Sequence, residues 1–493
     1  MNILVASAEL SPFAKSGGLA DITSSLPIEW QKYGQNPIAV MPKYGFIDVE
    51  KYGFTKTALT IIVPMGFWSE FAALWVGTLP GSDVPVYLVE HNEYFDRPGI
   101  YGDPDEYFDN DRRFIFFCRA VLETAKALNF KPDILHAHDY HAAFTLAFLK
   151  SHYRHDPLFA GTAGVYTIHN LAYQGWFDPD RAMEFSGFTK KEFYPGSWFE
   201  KLGKVNAMKT GIMFADKITT VSPTYAREIR WTYYSEGMQD VLNLRGADLI
   251  GILNGVYYDE WSPDTDEYIH KSYSIESLED KKINKYDYLR SFALTEEDNL
   301  DLPLFGMVTR LAEQKGIDLV MNKMEYYLAN GLARFTLLGS GEKQYTDYFN
   351  YLKWKYPKLA LVTIGYNNTL SHKIFAASDY LLVPSRYEPC GLTQMYALKY
   401  GTVPIVRITG GLADTVEEYI PDTGVGTGFR FWQYNADDFA YAMRRAIEIY
   451  DTQDHWDIIR KNGMLKRFSS SETALNYLKV FKWAIEKARG IDL

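Results

Sequence analysis

Two basic side chains and one carboxylate lie in two short segments of the second half of the chain. Arg310 and Lys315 belong to Arg-Leu-Ala-Glu-Gln-Lys-Gly, and Glu388 belongs to Ser-Arg-Tyr-Glu-Pro-Cys-Gly-Leu-Thr. Each segment follows an apolar run typical of a buried strand, and ligands of parallel α/β sheets bind beyond the carboxyl ends of such strands. Two cations suit a pyrophosphate, and Glu388 beside them suits neutral hydroxyls, as in a sugar. Taken alone, the first segment fits a solvated charged loop equally well.

Glycines follow the first apolar run of the chain as well. Lys15-Ser-Gly17-Gly18 comes after Ile3–Ala6 and precedes a helical pattern. Glycines at a helix start let the backbone approach a ligand, and the helix dipole and Lys15 favour an anion. The segment is neither a P-loop nor a dinucleotide fingerprint, and such a turn is often only a tight connection. Asp21 either belongs to this site or merely complements the helix dipole.

A second helix start is predicted after Glu388. Gly391 and Leu392 would begin a helix, with Thr393 next, so that its N–H groups point toward the same ligand. Cys390 is interpreted as a buried apolar residue rather than a nucleophile. The segment around Gly410 repeats the Gly-Gly arrangement after a further strand.

Histidines follow two other predicted strands. His136-Ala-His138-Asp139-Tyr-His follows one, and His169-Asn-Leu-Ala-Tyr-Gln-Gly follows the next. The spacing matches no known metal-ligand pattern, so a rim that hydrogen-bonds hydroxyls is favoured over a zinc site. A purely structural role is the alternative for each histidine.

These segments require parallel sheets to position them. Short β-branched runs alternate with amphipathic helical patterns, which predicts an α/β protein with two doubly wound domains facing a cleft. The length of 493 residues exceeds what a single core usually supports. The switch between the domains is placed at Asn254-Gly255. The predicted divisions are residues 1–254, residues 255–466, and a final helix in 467–493.

Composition excludes several classes of protein. The net charge of -11 argues against a general nucleic-acid binder. Two distant cysteines indicate no disulfide framework and fit a reducing compartment. No apolar stretch would span a bilayer, and the N-terminus has the pattern of a strand rather than a signal peptide. A cytoplasmic protein is expected (or a plastid one in a photosynthetic host), with no membrane partner.

Nine motifs occur in a fixed order along almost the whole chain: KSGGLAD, FDRPGIYG, HAHDYHAA, TIHNLAYQG, TTVSPTYAREI, GILNGV, RLAEQKGIDL, SRYEPCGLTQ and TGGLADTV. In this set the chain resembles the bacterial glycogen synthase and plant starch synthase family. The resemblance implies a GT-B type, retaining glucosyltransferase that transfers glucose from ADP-glucose to an α-1,4-glucan primer. The N-terminal domain would bind the glucan and the C-terminal domain the nucleotide sugar. No cofactor or metal is expected.

The resemblance also implies roles for individual residues. The residues assigned to catalysis are Glu388, Arg310, Lys315, His169 and Asp139. Those assigned to the donor are Lys15, Gly17, Gly18, Asp21, Asn254, Cys390, Gly391, Leu392 and Thr393, and Phe95 lies on the acceptor-side loop. The chain departs from the family pattern at Tyr140 and Tyr257, whereas Tyr396, eight residues after Glu388, fits the glycogen and starch synthase type.

Alternatives remain at this point. The donor could be UDP-glucose, because no base-reading residue is identifiable. A glucan phosphorylase would need a pyridoxal-phosphate lysine, for which no matching context is present. A catalytically inactive glucan binder would not need Lys15, Arg310, Lys315 and Glu388 together. The motifs contain no dedicated nucleophile, so front-face attack is favoured over double displacement, and the oligomeric state is left open.

Overall fold

The computed structural model describes residues 1–103 and 105–490, which form two compact α/β units. Unit 1 consists of residues 1–255 and the C-terminal segment from Ser470, and unit 2 consists of Val256–Ser469. The predicted boundaries at 254 and 466 lie within three residues of these. Residues 491–493 of the predicted final segment lie outside the described residues.

Unit 1 is built on a nine-stranded sheet in the order β12-β11-β7-β6-β1-β2-β5-β4-β3. Its strands pair in parallel except β4, which is antiparallel to both β3 and β5. A small antiparallel sheet contains β8, β10 and β9. The strands are β1 (Asn2–Ala6), β2 (Asn36–Pro42), β3 (Thr55–Met65), β4 (Trp68–Thr78), β5 (Pro85–Glu90), β6 (Ile134–His138), β7 (Ala163–Ile168), β8 (Trp176–Phe177), β9 (Glu200–Lys201), β10 (Lys204–Asn206), β11 (Lys217–Thr220) and β12 (Leu249–Gly251).

Unit 1 contains eight α-helices and the C-terminal helix within its described residues. They are α1 (Gly18–Lys32), α2 (Asn92–Phe95), α3 (Asn110–Ala127), α4 (Asp139–Lys150), α5 (Pro179–Ser186), α6 (Ala207–Phe214), α7 (Pro223–Glu228) and α8 (Gln239–Leu244), with the C-terminal helix (Ser470–Arg489) added to them. The C-terminal helix packs on α1, where the indole N–H of Trp30 donates to the Ala474 carbonyl at 3.2 Å. Its apolar face buries Tyr477 and Phe481 against this unit.

Unit 2 contains a six-stranded parallel sheet in the order β15-β14-β13-β16-β17-β18. Its strands are β13 (Leu304–Leu311), β14 (Arg334–Gly341), β15 (Ala360–Ile364), β16 (Tyr380–Val383), β17 (Val403–Arg407) and β18 (Phe429–Phe431). Its helices are α9 (Lys281–Arg290), α10 (Ile317–Ala329), α11 (Lys343–Lys355), α12 (Asn368–Ala377), α13 (Thr393–Lys399), α14 (Gly410–Thr415), α15 (Ala436–Tyr450) and α16 (Gln453–Leu465), and the C-terminal helix of unit 1 is therefore α17. Short 3₁₀ segments occur at Pro157–Phe159, Leu278–Asp280, Glu296–Asp298 and Glu313–Lys315.

Both sheets are doubly wound, and the strand order identifies where a ligand would bind. In each unit the chain starts at a central strand, completes one side of the sheet, and then crosses to the other side. The order therefore reverses between β1 and β6 in unit 1 and between β13 and β16 in unit 2. Ligands of such sheets bind outside the carboxyl ends of the strands at this switch point. Within the described ranges, no helix is long and apolar enough to cross a membrane.

Candidate active site

In unit 2, the segments that follow β13 and β16 bring two of the predicted residues together. The Lys315 ammonium donates to a carboxylate oxygen of Glu388 at 2.7 Å, and the two side chains are only 17% and 8% exposed. The Ser385 hydroxyl donates to the same oxygen at 2.9 Å. Lys315 and Glu388 thus form a largely buried ion pair at the switch point. An incoming anion would have to compete with Glu388 for this lysine.

Arg310 lies near the end of β13, five residues before Lys315 in the sequence. Its side chain is exposed and forms no ion pair or hydrogen bond with residues 1–103 or 105–490. The guanidinium therefore lies in solvent at the carboxyl edge of the sheet. Such a group can take an anionic ligand without first breaking a protein contact.

The glycines after β17 support the backbone around Glu388. A Cβ at Gly410 would come within 1.9 Å of the Glu388 carbonyl oxygen, and one at Gly411 within 1.9 Å of the Cys390 carbonyl oxygen. The Gly411 N–H also donates to the Glu388 carbonyl at 3.0 Å. The sequence suggested that this Gly-Gly pair repeats the ligand-facing arrangement near the N-terminus. In the structure its close contacts are instead with the segment that carries Glu388.

The rest of the Glu388 segment turns into α13. Cys390 is buried, as interpreted from the sequence. Gly391 has φ +72, a left-handed conformation that favours glycine. Helix α13 begins at Thr393 rather than at Gly391 or Leu392 as predicted. The helix starts later because the left-handed turn at Gly391 interrupts helical geometry.

In unit 1, the segment after β1 is held from within the protein. The Lys15 ammonium donates to Asp21 at 2.7 Å, and both side chains are partly exposed. Burial raises the pKa of the Asp21 carboxyl, and the charge of Lys15 opposes that rise. Lys15 is thus already paired, so an incoming anion would have to compete with Asp21 for its ammonium.

Glu9 was not identified from the sequence, yet it organises this glycine segment. Its buried carboxylate accepts hydrogen bonds from the Ser16 N–H at 2.7 Å and from the Ser16 hydroxyl at 2.6 Å. The Tyr101 hydroxyl donates to it at 2.5 Å, and the Gly17 N–H lies 3.4 Å away. The Gly17 amide assigned to a phosphate is therefore directed partly toward Glu9. A lone glutamate three residues beyond a strand gives no sequence signal of this kind.

Nothing in the described part of the chain requires glycine at position 17. Its φ of -165 is extended backbone that any residue adopts, and a Cβ built there would meet no atom of residues 1–103 or 105–490 within 4 Å. Gly410 differs, since a Cβ there would strike Glu388. Open space beside the start of α1 is what close approach of a ligand to the backbone requires.

We expect Gly17→Ala to leave the thermal unfolding midpoint unchanged and to lower kcat/KM for the donor by on the order of tenfold, a loss of about 1.4 kcal/mol. The added methyl would occupy the open space beside the start of α1, which the predicted role of Gly17 assigns to the ligand. Thermal unfolding and initial-rate kinetics measure the two effects. Gly410→Ala is the matched comparison, and it should lower the unfolding midpoint because its Cβ would meet a carbonyl. Unchanged donor kinetics in Gly17→Ala would remove Gly17 from the site.

Asp139 and His169 come together at the ends of β6 and β7. Asp139 has φ +53, an uncommon conformation for a non-glycine residue, at the point where β6 ends and α4 begins. One of its carboxylate oxygens accepts the His169 N–H at 2.8 Å. Burial raises the pKa of Asp139 to about 7, although hydrogen bonds from the His169 and Asn170 amides oppose the rise. A strained, buried carboxylate that titrates near neutral pH is typical of a functional site.

Asn254, the residue before the end of the main segment of unit 1, has an unused polar atom. Its side chain is buried, and Oδ1 has no hydrogen-bond partner in the part of the chain that the structure describes. Buried polar atoms without partners are rare in folded proteins. Oδ1 of Asn254 could accept a hydrogen bond from a ligand hydroxyl, which fits its predicted place in the sugar site.

Phe95 does not present its ring to a ligand. It is fully buried in the last turn of α2, where it packs against Tyr44 and Phe116. Arg113 also lies over the ring, 5.5 Å from its centroid. An unexposed ring can act on an acceptor only through the residues around it. The placement of its loop on the acceptor side stays a prediction.

A cavity of about 530 Å³ in unit 1 was not anticipated from the sequence. It adjoins both histidine segments, and its lining combines aromatic rings with polar and charged side chains, including the Arg181–Asp111 ion pair. Among the lining residues are Tyr107, Phe108, Tyr140, Tyr173 and Trp176. Exposed rings can stack on the apolar face of a pyranose. The aromatic content of 16% was the only signal, because these rings come from separate segments.

Comparison with known proteins identifies the family of the chain. The starch synthase catalytic domain pattern matches residues 2–244, and the glycosyl transferases group 1 pattern matches residues 295–462. The chain is 43% identical to glycogen synthase 1 of Geobacter sulfurreducens, over 100% of this chain and 98% of that protein. It is 41% identical to a glycogen synthase of Pseudothermotoga lettingae, over 99% of each. The chain belongs to the glycogen synthase and starch synthase family.

A solved structure supports the same assignment. The catalytic domain of starch synthase IV from Arabidopsis thaliana, bound to ADP and acarbose, superposes with a TM-score of 0.89. It is 31% identical in sequence and covers 98% of this chain and 99% of that chain. The predicted GT-B type fold is confirmed, and the chain is a glycosyltransferase.

Tyr396 has a defined role within this synthase. Its ring stacks on Trp261 at 4.1 Å, and the opposite face of Trp261 stacks on His372 at 3.9 Å. His372 in turn hydrogen-bonds Asp266 at 2.8 Å. The ring of Tyr396 therefore anchors the beginning of unit 2 through an aromatic stack, which a carboxylate at that position could not form.

Proposed function

We propose that this synthase transfers glucose from ADP-glucose to the non-reducing end of an α-1,4-glucan with retention of configuration. The observation that carries the proposal is the Lys315–Glu388 pair, with Arg310 nearby in sequence, at the switch point of unit 2. The Arabidopsis starch synthase IV structure, which holds ADP and acarbose, supports a nucleoside diphosphate and an oligosaccharide as ligands.

In unit 2 the proposed chemistry is neutralisation of the leaving group. Negative charge grows on the pyrophosphate as the bond to the anomeric carbon breaks, and Arg310 and Lys315 stabilise it. When a phosphate of the donor binds the Lys315 ammonium, the Glu388 carboxylate is released from its ion pair. It can then accept hydrogen bonds from the glucosyl hydroxyls, so donor binding and sugar recognition are coupled through one contact.

In unit 1 the proposed ligands are the transferred sugar and the acceptor. Asp139, His169 and Asn254 would face the sugar, and the ionised Asp139 would stabilise the positive character that develops on it. The aromatic cavity beside Tyr140 would hold the glucan chain. Asp139 already accepts two backbone N–H groups, which restrains it from attacking carbon and favours front-face attack by the acceptor hydroxyl.

Radiolabelled ADP-glucose and UDP-glucose, offered separately with glycogen as primer, test the proposal. We expect incorporation from ADP-glucose that β-amylase releases as maltose, because that enzyme digests α-1,4 chains from non-reducing ends. Preferential incorporation from UDP-glucose would overturn the donor assignment. No incorporation from either donor would favour the glucan-binding alternative.

The cavity makes a separate prediction. Trp176→Ala should raise KM for glycogen by on the order of tenfold, a typical loss for one stacking ring of about 1.4 kcal/mol, and leave KM for the donor unchanged. Trp354→Ala is the matched control, since Trp354 is 77% exposed on α11 and outside the cavity. Initial rates at varied glycogen concentration measure the effect. Equal glycogen KM values in the two variants would exclude the cavity as an acceptor site.

A further inference from the structure

His138 is a buried residue of unit 1 to which the proposed reaction assigns no role. It is the last residue of β6 and is fully buried, whereas His169 at the end of β7 is partly exposed. The Nδ1 of His138 and the Nε2 of His169 are 2.9 Å apart, a hydrogen bond between two imidazoles. The Nδ1 of His169 has no hydrogen-bond partner in residues 1–103 or 105–490.

Both imidazoles are neutral around pH 7. Burial lowers the pKa of His169 to about 3 and that of His138 well below its usual value. A neutral imidazole has one N–H donor and one bare acceptor nitrogen. One ring must therefore donate to the other, and the direction of this bond fixes both tautomers.

The surroundings of His138 decide the direction. Its Nε2 is buried and has no hydrogen-bond partner within the described part of the chain. The nearest imidazole, that of His136, lies against it with ring centroids 4.0 Å apart, while the Nε2 of His136 hydrogen-bonds the Thr167 hydroxyl at 2.6 Å. If His169 donated, the proton of His138 would sit on Nε2 as an orphaned N–H. Orphaned buried N–H groups are rarer in proteins than under-used acceptors. The proton of His138 therefore belongs on Nδ1.

We infer that His138 is a positioning residue that holds His169 as the Nδ1–H tautomer, so that His169 presents a hydrogen-bond donor to a sugar hydroxyl. This inference rests on the proposed function only for the identity of that hydroxyl. Asp139 holds the backbone of His169 and His138 holds its ring, so the donor is fixed at two points. The Asp139 carboxylate and the His169 donor then offer the sugar an acceptor and a donor side by side.

Nitrogen NMR of the full chain labelled with ¹⁵N-histidine tests the tautomer directly. His169→Asn identifies the resonances of His169 by their loss. We expect the wild-type spectrum at pH 7.5 to show a protonated Nδ1 and a bare Nε2 for His169. A protonated Nε2 would overturn the inference. This measurement needs no activity, so it stands even if the proposed reaction fails.

Variants of His138 test the consequence for catalysis. Asparagine places an amide group near the position of the imidazole Nδ1, so His138→Asn can still donate to His169. His138→Phe keeps a ring of similar shape but cannot donate. We expect His138→Phe to lower kcat by on the order of tenfold, as loss of a supporting hydrogen bond does, and to shift His169 toward the Nε2–H tautomer. His138→Asn should retain kcat within about threefold and keep the tautomer. Equal activity in both variants, or an unchanged tautomer in a folded His138→Phe, would contradict the positioning role.

Discussion

Arg310→Ala is expected to lower kcat by on the order of 10²–10³, the usual effect of removing one preorganised donor that stabilises developing charge. The guanidinium is exposed and has no protein partner among the described residues, so its removal leaves no buried charge behind. The loss should therefore fall on turnover, with the unfolding midpoint unchanged. Initial rates with saturating ADP-glucose and glycogen measure it.

Two further variants sharpen the Arg310 experiment. Arg310→Lys keeps the charge but loses the planar fork that binds phosphate through two N–H groups, and it should recover only part of the lost rate. Arg444→Ala, which removes an exposed arginine of α15 in the same unit, is the control and should leave kcat unchanged. Wild-type turnover in a folded Arg310→Ala would refute the assignment of Arg310 to the pyrophosphate.

The parallel sheets could be predicted from the sequence because their strands are buried on both faces. β6 and β7 are fully buried, and such strands appear as continuous short apolar runs. The antiparallel pair β3 and β4 was not predicted. Its burial alternates and several of its residues face solvent, so the pattern differs little from that of a polar connection.

The sequence predicted those parts of the candidate site that follow directly from the ends of neighbouring strands. It did not predict the contacts that depend on the path of a connecting segment. Lys315 and Glu388 follow neighbouring strands, so their proximity follows from the sheet order. The contact of Glu9 with Ser16 depends on the path of the segment between β1 and α1. The sequence does not show that path. It likewise does not show that His138 hydrogen-bonds His169, which comes from the next strand.

Asp139→Asn should produce opposite changes in activity and in stability. Asparagine keeps an oxygen that can accept the His169 N–H, but it removes the charge proposed to stabilise the sugar. We expect kcat to fall by on the order of 10², comparable to the loss of one charge-stabilising group. We expect wild-type kcat/KM to rise as the pH increases through about 7, because Asp139 ionises there. The Asp139→Asn variant should show no such rise in kcat/KM.

The stability change follows from the same pKa. Folding raises the pKa of Asp139 from 3.8 to about 7, so between these values the unfolded chain ionises while the folded protein holds its proton. The free energy of unfolding of the wild type therefore falls below that of Asp139→Asn as pH rises from about 4 to about 7. The full difference corresponds to about 4 kcal/mol at pH 8, with none at pH 3.5. Denaturant unfolding at the two pH values measures it.

The control for Asp139→Asn is Asp180→Asn, which removes a carboxylate that is 77% exposed and paired with Lys190. A surface pair of this kind contributes little to folding, so its loss should change the free energy of unfolding by less than about 1 kcal/mol at either pH. If Asp139→Asn behaves like Asp180→Asn at pH 8, the carboxyl of Asp139 is not desolvated in the folded protein. If it is more stable yet inactive, then the protein retains a destabilising buried charge because the reaction requires it.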